Sequence, residues 1–450
     1  MQTTTISEGH TVSHHPTFDP HHNLKESDKH NERIEVRVGS SASDSIAVSI
    51  PDLKSQTKHQ RLRARVQFAT ICGSMYLAGW NDGTTGPLLP RIQKVYGLNF
   101  MVVSLIFVFA CVGFLSGAFA NMYLDGRFGF GKFTQSNGFV ASLKDSPEVK
   151  MGILHAVYGA GALSSPLAAT QFAQLPHWSF HYLCSLGIAF TNTVLLIAVF
   201  GLKTQDECLA QIGQPAGEKG TNEKSRFSQI LRLREVHLIA FFILIYVGVE
   251  VTVGGWMVTY IIDVRGGGPS SGYISSGFFG GIMIGRVGLL WVNKKASLYP
   301  IYSMQHRYQR LQVGERRVVF IYAILAIGLE LIVWLVPSII GGGVAISIIG
   351  MILGPMYPIA MMHAVRILPE WLVTGSISWI AGFGQAGSAL LPFLNGAIAT
   401  KTGIKSLQPF LVSMMVLMIV LWALVPGTAR RPNDICSVRH VLRHVAVDLS

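Results

Sequence analysis

Ten long apolar windows constrain what this chain can fold into more than any other feature of its sequence. Each window holds about 19 to 27 mostly apolar residues, enough for a helix to cross a hydrocarbon layer about 30 Å thick. They cover residues 66–89, 99–123, 151–173, 181–202, 236–262, 271–292, 318–337, 339–362, 374–398 and 408–426. Transmembrane β-strands need short segments of alternating polarity, whereas these windows are continuous runs. The sequence therefore predicts an all-α polytopic membrane protein.

The composition agrees with this prediction. Half of the 450 residues are hydrophobic and only 13% are charged, whereas soluble domains carry about 25% charged residues. The net charge of +12 is not accompanied by an aromatic or basic module for nucleic acid. Five scattered cysteines without a CxxC pair, and seven irregularly spaced histidines before residue 60, indicate neither disulfides nor a metal site. We therefore expect no metal, no cofactor and no nucleic-acid partner.

The distribution of lysine and arginine predicts the orientation in the bilayer. If the N-terminus is cytoplasmic and the chain crosses ten times, only five of the 36 basic residues lie outside. These five are Arg91, Lys94, Arg265, Lys401 and Lys405. Residues 1–62 are rich in Ser, His and charge, so we expect a disordered tail, without a cleavable signal peptide. Both termini are therefore predicted to be cytoplasmic.

A weak internal repeat indicates two related halves. The aligned stretches are AGWNDGTTGP (78–87) with VGVEVTVGGW (247–256), at an offset of 169, and AGALSSP (160–166) with AGSALLP (386–392), at an offset of 226. Gly79 thus meets Gly248, and Gly161 meets Gly387, as in transporters built from parallel repeats. The offsets differ by 57 residues, so the first half is shorter, and the shortfall lies between the second window and residue 151.

Several longer runs carry a family resemblance. They are WNDGTTGPLLPRIQ, LDGRFGFGK, NGFVASLKDSPEVKMGILHAVYGAGALSSPLAATQF, VGVEVTVGGWMVTYI and LGPMYPIAM. They resemble a fungal branch of the major facilitator superfamily, distantly similar to fucose-permease-like symporters of sugars and protons, over about residues 63–430. The resemblance implies twelve helices in two bundles. The chain departs from it by lacking the third and most of the fourth helix between Lys132 and Asn137, and by an additional stretch, 296–312.

We therefore predict the major facilitator fold with about ten visible transmembrane helices instead of twelve. The predicted parts are a disordered cytoplasmic tail (1–62), a shortened N-terminal bundle (63–203), a central cytoplasmic loop (204–235), a C-terminal bundle (236–429) with an inserted loop (296–312), and a cytoplasmic tail (430–450). The shortened bundle is expected to have an open flank that exposes small residues around Gly159 and Gly161 to lipid and makes the chain fold poorly.

Three acidic residues lie inside the apolar windows, namely Asp82, Glu250 and Glu330. An ionised side chain at mid-bilayer costs about 2.5 to 3.5 kcal/mol, so such residues normally line a cavity or have a partner. Glu250, about 14 residues into a 27-residue window, is the strongest candidate for binding a proton, and Asp82 beside Asn81 comes next. Glu330 lies in a window that corresponds to a peripheral helix of the family, where we expect a structural or lipid-edge role.

The residues around Asp82 predict a weak point in the first helix. Gly83, Gly86, Pro87 and Pro90 weaken backbone hydrogen bonding, as in the broken helices that border transport sites. Small residues on the same helical stripe as Asp82, Gly86 among them, would leave space beside the carboxylate. The alternative interpretation is an interfacial turn with Asp82 near the outer headgroups.

Further polar and aromatic side chains complete the predicted pathway for substrate and protons. His155 shares a helical stripe with Tyr158, and histidine carries a proton near neutral pH, although it would equally anchor the helix at the interface. Trp256, Tyr357 and Gln385 offer the hydrogen-bonding groups and aromatic faces that sugar-like solutes need. Each of these three residues, taken alone, is also an ordinary packing residue.

The stretch DGRFGFGK (125–132) resembles the superfamily's cytoplasmic loop signature after the second helix. The resemblance implies a gating latch that pairs charges with helix ends. The residues of the implied latch are Asp125, Arg127, Gly129 and Lys132, with Arg286 as a weaker echo in the second half. Arg127 and Lys132 would serve equally as positive anchors on the cytoplasmic side.

The resemblance and the buried acids predict a secondary transporter that moves a small organic solute, sugar-like by the resemblance, through alternating access coupled to protons. We expect a monomer in the plasma membrane in which Glu250→Gln abolishes pH-driven accumulation and Asp82→Asn weakens it less. The alternatives are an exporter of a secondary metabolite and a nontransporting or inactive membrane protein, which the missing helices favour. An enzyme and an ATP-driven pump are not expected, because neither a catalytic constellation nor a P-loop is present.

Overall fold

The computed structural model describes residues 57–128, 139–140, 143, 147–201, 203, 205–213, 223–289 and 308–427. All of them belong to one compact unit, Lys54–Ser450. The predicted tails up to residue 56 and from residue 430, and most of the predicted inserted loop, lie outside the described residues. Within the described ranges the regular secondary structure is entirely helical.

Thirteen helices of seven or more residues follow one another in the described part of the chain. They are α1 (Lys58–Tyr96), α2 (Phe100–Phe128), α3 (Pro147–Gln174), α4 (His181–Phe200), α5 (Gln205–Gln211), α6 (Glu223–Arg232), α7 (Arg234–Arg265), α8 (Tyr273–Ile284), α9 (Tyr308–Leu335), α10 (Ile339–Leu353), α11 (Met356–Ile367), α12 (Glu370–Thr402) and α13 (Leu407–Leu424). A π-helical segment, Gly285–Leu289, continues α8. We call α1 to α4 the N half and α7 to α13 the C half.

Helix α1 is continuous from Lys58 to Tyr96, which excludes the alternative interpretation of an interfacial turn at Asp82. Thr57 and Gln60 form a capping box at its start, which places five residues of the predicted tail inside the helix. The helix ends at Gly97, whose φ of 61° suits glycine. The prolines and glycines after Asp82 do not break the helix, because neighbouring helices pack directly against this stretch.

Seven stretches of the described helices are long and apolar enough to cross a membrane. They coincide with seven of the ten predicted windows. The other three windows, 66–89, 151–173 and 271–292, lie on α1, on α3 and on α8 with its π-helical continuation. Helices α1 and α3 carry more polar residues, and α8 is only 12 residues long. The chain is therefore a multi-pass membrane protein.

Helices α1 and α3 cross at two glycines that remove side chains from the contact. A Cβ added to Gly79 would lie 1.9 Å from the carbonyl oxygen of Tyr158, and one added to Gly161 would lie 2.1 Å from the carbonyl oxygen of Tyr76. Backbones that approach this closely tolerate no larger residue, as is usual where small residues line helix contacts in membranes.

The C half repeats this crossing between α7 and α12. A Cβ on Gly387 would lie 2.1 Å from the carbonyl oxygen of Leu244, and one on Gly248 would lie 3.0 Å from the carbonyl oxygen of Gly387 and closer still to the Leu391 side chain. These glycines are the residues that the internal repeat aligns with the pair in the N half. The internal repeat therefore corresponds to one type of helix crossing that occurs in both halves.

The predicted exposure of small residues on α3 is wrong. Gly161 packs on α1, and Gly159 is buried against Met283 of α8. Among the described residues, α4 packs mainly on α1 and leaves a groove beside it, and we keep this groove as the candidate for the predicted open flank. The groove has a volume of about 440 Å³ and is lined by Gly73, Tyr76, Cys184, Gly187, Ile188, Thr191, Asn192 and Leu195.

The two halves contact each other from the middle of the helices, where Gly159 of α3 packs on Met283 of α8, to one end, which we call the closed end. It is formed by the C-terminal parts of α1, α3, α7 and α12 and the N-terminal parts of α2 and α8. A Cβ on Gly86 would lie 2.2 Å from the carbonyl oxygen of Gly254. The backbone N–H of Met101 donates to Thr400 Oγ1 over 2.8 Å. In the predicted orientation this end faces outwards.

Candidate functional site

Asp82 is solvent-accessible although it lies in the middle of α1. Its Oδ2 accepts a hydrogen bond of 2.6 Å from the Tyr158 hydroxyl of α3, and the neighbouring Asn81 is exposed as well. The crossing at Gly79 brings Tyr158 within reach, because the Tyr158 backbone lies against that glycine. The sequence suggested that the small residues beside Asp82 leave space open, but the space beside Gly79 is filled by the backbone of α3. This glycine brings in the helix that supplies the hydrogen-bond donor of Asp82.

Glu250 of α7 forms an ion pair with Arg286, which the sequence alone did not reveal. Arg286 Nη2 donates to the two carboxylate oxygens over 3.1 and 3.3 Å, and the side chains of Arg286 and Glu250 are only 14% and 8% exposed. Arg286 lies in the π-helical segment that continues α8, a distortion that often marks functional sites. One signal was available in the sequence, since Arg286 is the sole charged residue of the window 271–292.

Asp82 and Tyr158 of the N half and Glu250 and Arg286 of the C half form one charged cluster. The guanidinium of Arg286 lies 5.7 Å from the centre of the Tyr158 ring, so the C half meets the N half here through a cation–π contact. With both acids ionised, Asp82 and Glu250 carry two negative charges against one positive charge on Arg286. One bound proton would therefore neutralise the cluster.

Three other predicted pathway residues lie on the same helices as the cluster or on neighbouring ones. His155 is partly buried on α3, about one turn before Tyr158. The ring of Tyr357 lies 6.2 Å from the ring of Tyr246, which shares a face of α7 with Glu250. Gln385 is partly buried, and its Nε2 donates to Ser388 Oγ of its own helix over 3.2 Å.

Trp256 packs inside the protein in this structure, as the alternative interpretation allowed, and its predicted place in the pathway stays a prediction. It is fully buried, and its Nε1 donates to the carbonyl oxygen of Pro392 over 3.0 Å. Its ring also packs near the rings of Phe100 and Phe107 of α2. The indole thus fills the contact between α7, α12 and α2 towards the closed end, where the halves already touch.

The predicted gating latch is only partly described. Asp125 and Arg127 belong to the last turns of α2, while Gly129 and Lys132 lie outside the described residues. Arg286, the implied second-half counterpart, belongs to the charged cluster with Glu250 and does not form a cytoplasmic latch here. The gating role of the first four residues stays a prediction.

Of the two roles predicted for Glu330, structural or lipid-edge, burial excludes the lipid-edge role and is consistent with the structural one. The Glu330 side chain is fully buried, and no hydrogen bond reaches either carboxylate oxygen in the described structure. Apolar patterning could not reveal this, because lipid and packed protein are equally apolar surroundings for the rest of α9.

A second polar cluster, inside the N half, was missed by sequence reasoning. Thr84 Oγ1 lies 2.6 Å from Ser165 Oγ and 3.0 Å from Nε2 of His181, so three helices share one hydrogen-bonded group. The His181 ring stacks on Trp80, with 5.5 Å between ring centres. The cluster is buried, so we assign it to packing of α4 on α1 and α3. No group of three or more residues suited to a metal ion occurs among the described side chains.

Comparison with known proteins gives one curated relative. No family model matches the chain. The yeast protein named "Bypass of stop codon protein 6", from Saccharomyces cerevisiae, is 23% identical, and the match covers 77% of this chain and 80% of that protein.

Solved structures establish the fold. A D-xylose-proton symporter matches with a TM-score of 0.61 and 10% identity, over 82% of this chain and all of the other. The fucose:proton symporter of Escherichia coli matches with a TM-score of 0.50 and 14% identity, over 80% of this chain and 98% of the other. Likeness at such low identity concerns the backbone arrangement. The chain therefore has the backbone arrangement of the major facilitator fold. The predicted loss of two helices between Lys132 and Asn137 falls outside the described residues and stays a prediction.

Proposed function

We propose that this protein is a secondary transporter that moves a small organic solute by alternating access. The observation that carries the proposal is the charged cluster of Asp82, Tyr158, Glu250 and Arg286, to which both halves contribute. The halves touch at the closed end, while Asp82 remains open to solvent. Rocking of the halves would close the accessible side and open the other, carrying the cluster from one compartment to the other.

Asp82 is the residue that we propose to exchange the coupling proton in this conformation. It is exposed and has a neutral donor, Tyr158, whereas Glu250 is buried and already neutralised by Arg286. A proton on Asp82 removes the excess negative charge of the cluster. This reverses the order in which the sequence ranked the two acids. Glu250 acts in this proposal through Arg286, which it holds against the Tyr158 ring.

A sugar-like solute is the substrate class that we favour. The two solved neighbours are named as symporters of D-xylose and of fucose with protons, and those names describe those proteins. In this chain, Asn81, Tyr357 and Gln385 provide amide and phenol groups on α1, α11 and α12, which suit hydroxyl-rich solutes. We propose uptake with protons, and export of a metabolite would appear as accumulation in the opposite direction.

The test is uptake of labelled D-xylose and L-fucose into vesicles that contain the purified chain, with and without an imposed pH gradient. The wild type is expected to accumulate at least one of these sugars, or another solute found by screening, only when protons flow inwards. Asp82→Asn keeps the shape but cannot ionise, so it should exchange solute across the membrane without accumulating it.

The matched control is Asp263→Asn, which removes an exposed carboxylate near the end of α7, far along that helix from Glu250. It should accumulate solute like the wild type. If Asp82→Asn still accumulated solute with an unchanged pH profile, Asp82 would not be the coupling site. If no solute moved through a folded wild-type chain, the nontransporting alternative would replace the proposal.

We also propose the predicted orientation, with both tails and the loop 204–235 in the cytoplasm of a plasma-membrane protein. The distribution of basic residues supports it. A membrane-impermeant thiol reagent added to intact cells should label Lys401→Cys, at the end of α12, and should not reach Ser13→Cys in the tail. Labelling of the tail and protection of position 401 would reverse the orientation.

A further inference from the structure

Glu330 faces the interior of the C half. The buried residues of this part of α9 recur at helical spacing and are Ala323, Ala326, Glu330 and Val333, while Ile324, Leu325 and Ile332 are exposed. The carboxyl group lies five residues before the last residue of α9, Leu335, and therefore near the closed end. It is remote from the charged cluster of the proposed transport site and takes no part in it.

The surroundings of Glu330 offer it no counter-charge. Helix α9 packs on α10 and α13, and neither of these two helices contains an ionisable side chain. The ionisable groups on the other neighbours are Tyr260, Asp263 and Arg265 near the end of α7, and Tyr357, His363 and Arg366 on α11. His363 bonds to the carbonyl oxygen of Pro426 at the opposite end of the bundle, where α9 begins. Helix α11 therefore supplies no cation beside Glu330.

Arg265 is the cation whose contacts reach α9 beside Glu330, and its Nη2 is engaged by backbone oxygens of that helix. Its Nη2 donates to the carbonyl oxygens of Val333 and Trp334 over 2.8 and 2.6 Å, one turn beyond Glu330 on α9. Its guanidinium also lies 5.7 Å from the centre of the Tyr260 ring. Arg265 thus caps the end of α9 and forms no ion pair with Glu330 in the described structure.

An ionised carboxylate without partners in such a place is strongly disfavoured. The effective penalty for burying an ion in protein is several kcal/mol, and a buried acid without a partner usually becomes neutral. Both oxygens of Glu330 lack hydrogen bonds, and the side chain is fully buried. We propose that Glu330 is a second proton-binding site, which holds its proton while the closed end is closed.

The position of Arg265 determines how the bundle responds when this proton leaves. Arg265 binds carbonyl oxygens that lie one turn beyond Glu330 on α9. A deprotonated Glu330 would attract the Arg265 guanidinium away from these oxygens. Proton release at Glu330 is then coupled to loss of the contact between the ends of α7 and α9. Because this site is separate from Asp82 and Glu250, the inference does not depend on which of those acids couples transport.

Infrared spectroscopy of the purified protein in lipid tests the proposal. At neutral pH the wild type should show the carbonyl stretch of a protonated carboxyl group. In D₂O this band should shift only slowly, because the group is buried. Glu330→Gln should remove that band, whereas Glu250→Gln should leave it in place. Asp82→Asn should also leave the band in place, because the band is assigned to Glu330 and not to Asp82. Absence of the band from the wild type, or its persistence in Glu330→Gln, would overturn the proposal.

A second measurement works without spectral assignment. If folded Glu330 is protonated and the unfolded residue is ionised, folding takes up one proton, so stability falls as the pH rises above about 4.3, where an unfolded Glu ionises. The unfolding equilibrium constant of the wild type should then rise about tenfold per pH unit relative to that of Glu330→Gln, until the buried carboxyl itself ionises. Parallel pH dependence in the two proteins would show that Glu330 is not protonated in the folded state.

Discussion

The N half and the C half contain the same helix crossing but surround it differently. Gly79 and Gly161 bring α1 against α3 in the N half, and Gly248 and Gly387 bring α7 against α12 in the C half. In the C half, α9, α10 and α13 cover the helices of the bundle. In the N half, α4 leaves a groove of about 440 Å³ beside α1. The crossing is thus a local property of paired glycines, and among the described residues fewer helices cover it in the N half than in the C half.

The acids of the two halves also differ in how far their surroundings cover them. Asp82 in the N half is exposed and accepts a hydrogen bond from a neutral tyrosine, whereas Glu250 in the C half is buried against Arg286. A well-covered bundle can bury an ion pair because packed helices and compensating charge hold it in place. A loosely covered bundle leaves its acid open to water. The difference supports the proposal that Asp82 exchanges the proton, and it leaves Glu250 in a buried charge pair.

The largest effect is expected from breaking the buried pair. Glu250→Gln leaves Arg286 buried without a counter-charge, which typically costs about 3–5 kcal/mol of stability. Asp82→Asn should cost about 1 kcal/mol or less, since the asparagine oxygen still accepts from Tyr158 and the site is exposed. Thermal unfolding of the detergent-solubilised variants, measured in parallel, checks both values.

The double variant Glu250→Gln with Arg286→Gln is the control for this prediction. It removes both charges, so it should recover part of the stability that Glu250→Gln loses. Equal losses for Glu250→Gln and Asp82→Asn would mean that the two acids lie in equivalent surroundings, and the contrast between the halves would fail.

A smaller effect is expected at the paired glycines. Gly161→Ala and Gly387→Ala each place a Cβ about 2.1 Å from a backbone oxygen, and overpacking of this kind typically costs about 1–3 kcal/mol. Gly152→Ala on α3 and Gly382→Ala on α12 are matched controls, because nothing lies within 4 Å of a Cβ at either site.

The two glycine variants also show which half loses more stability when its helix crossing is disturbed. We expect the greater loss for Gly161→Ala, because the N half has fewer other helices to hold α1 and α3 together. Thermal unfolding of the four single variants gives the ranking. If Gly161→Ala and Gly152→Ala unfolded at the same temperature within error, the close backbone contact between α1 and α3 would be contradicted.

The smallest effect concerns chemical access and involves little change in stability. Cys184 lines the groove of the N half and is exposed, whereas Cys208 in the same half of the sequence is fully buried. In detergent, a small uncharged maleimide should modify Cys184 and spare Cys208. A chain that carries two additional helices inserted between α2 and α3 should show slower modification of Cys184, because those helices would cover the groove.

Slower modification must be accompanied by a check of folding. The extended chain should be at least as monodisperse and as stable to heating as the 450-residue chain, which is expected to fold less well. Equal rates at Cys184 in two well-folded proteins would mean that the inserted helices pack elsewhere and that the groove is not the open flank.

Much of the fold could be predicted from single residues and their spacing. The ten apolar windows correspond to helices of the structure, and the repeat pointed to Gly79, Gly161, Gly248 and Gly387 before their contacts were known. The candidate site was harder. The acids were visible as charges inside apolar windows, but the partner of Glu250 lies 36 residues away, in another helix, and only packing brings the two together.

The sequence by itself determined that the chain crosses a membrane many times and that three acids lie within apolar windows, and its internal repeat predicted two related halves of unequal length. Only the tertiary structure decided which way those acids face: Asp82 towards solvent, Glu250 towards Arg286, and Glu330 into the C half, where no described side chain forms a hydrogen bond with it. The physical reason is that lipid and a packed helix are both apolar, so the pattern of apolar residues does not distinguish the outer face of a transmembrane helix from its inner face. Which face is inner depends on the neighbouring helices, and these come from distant parts of the chain.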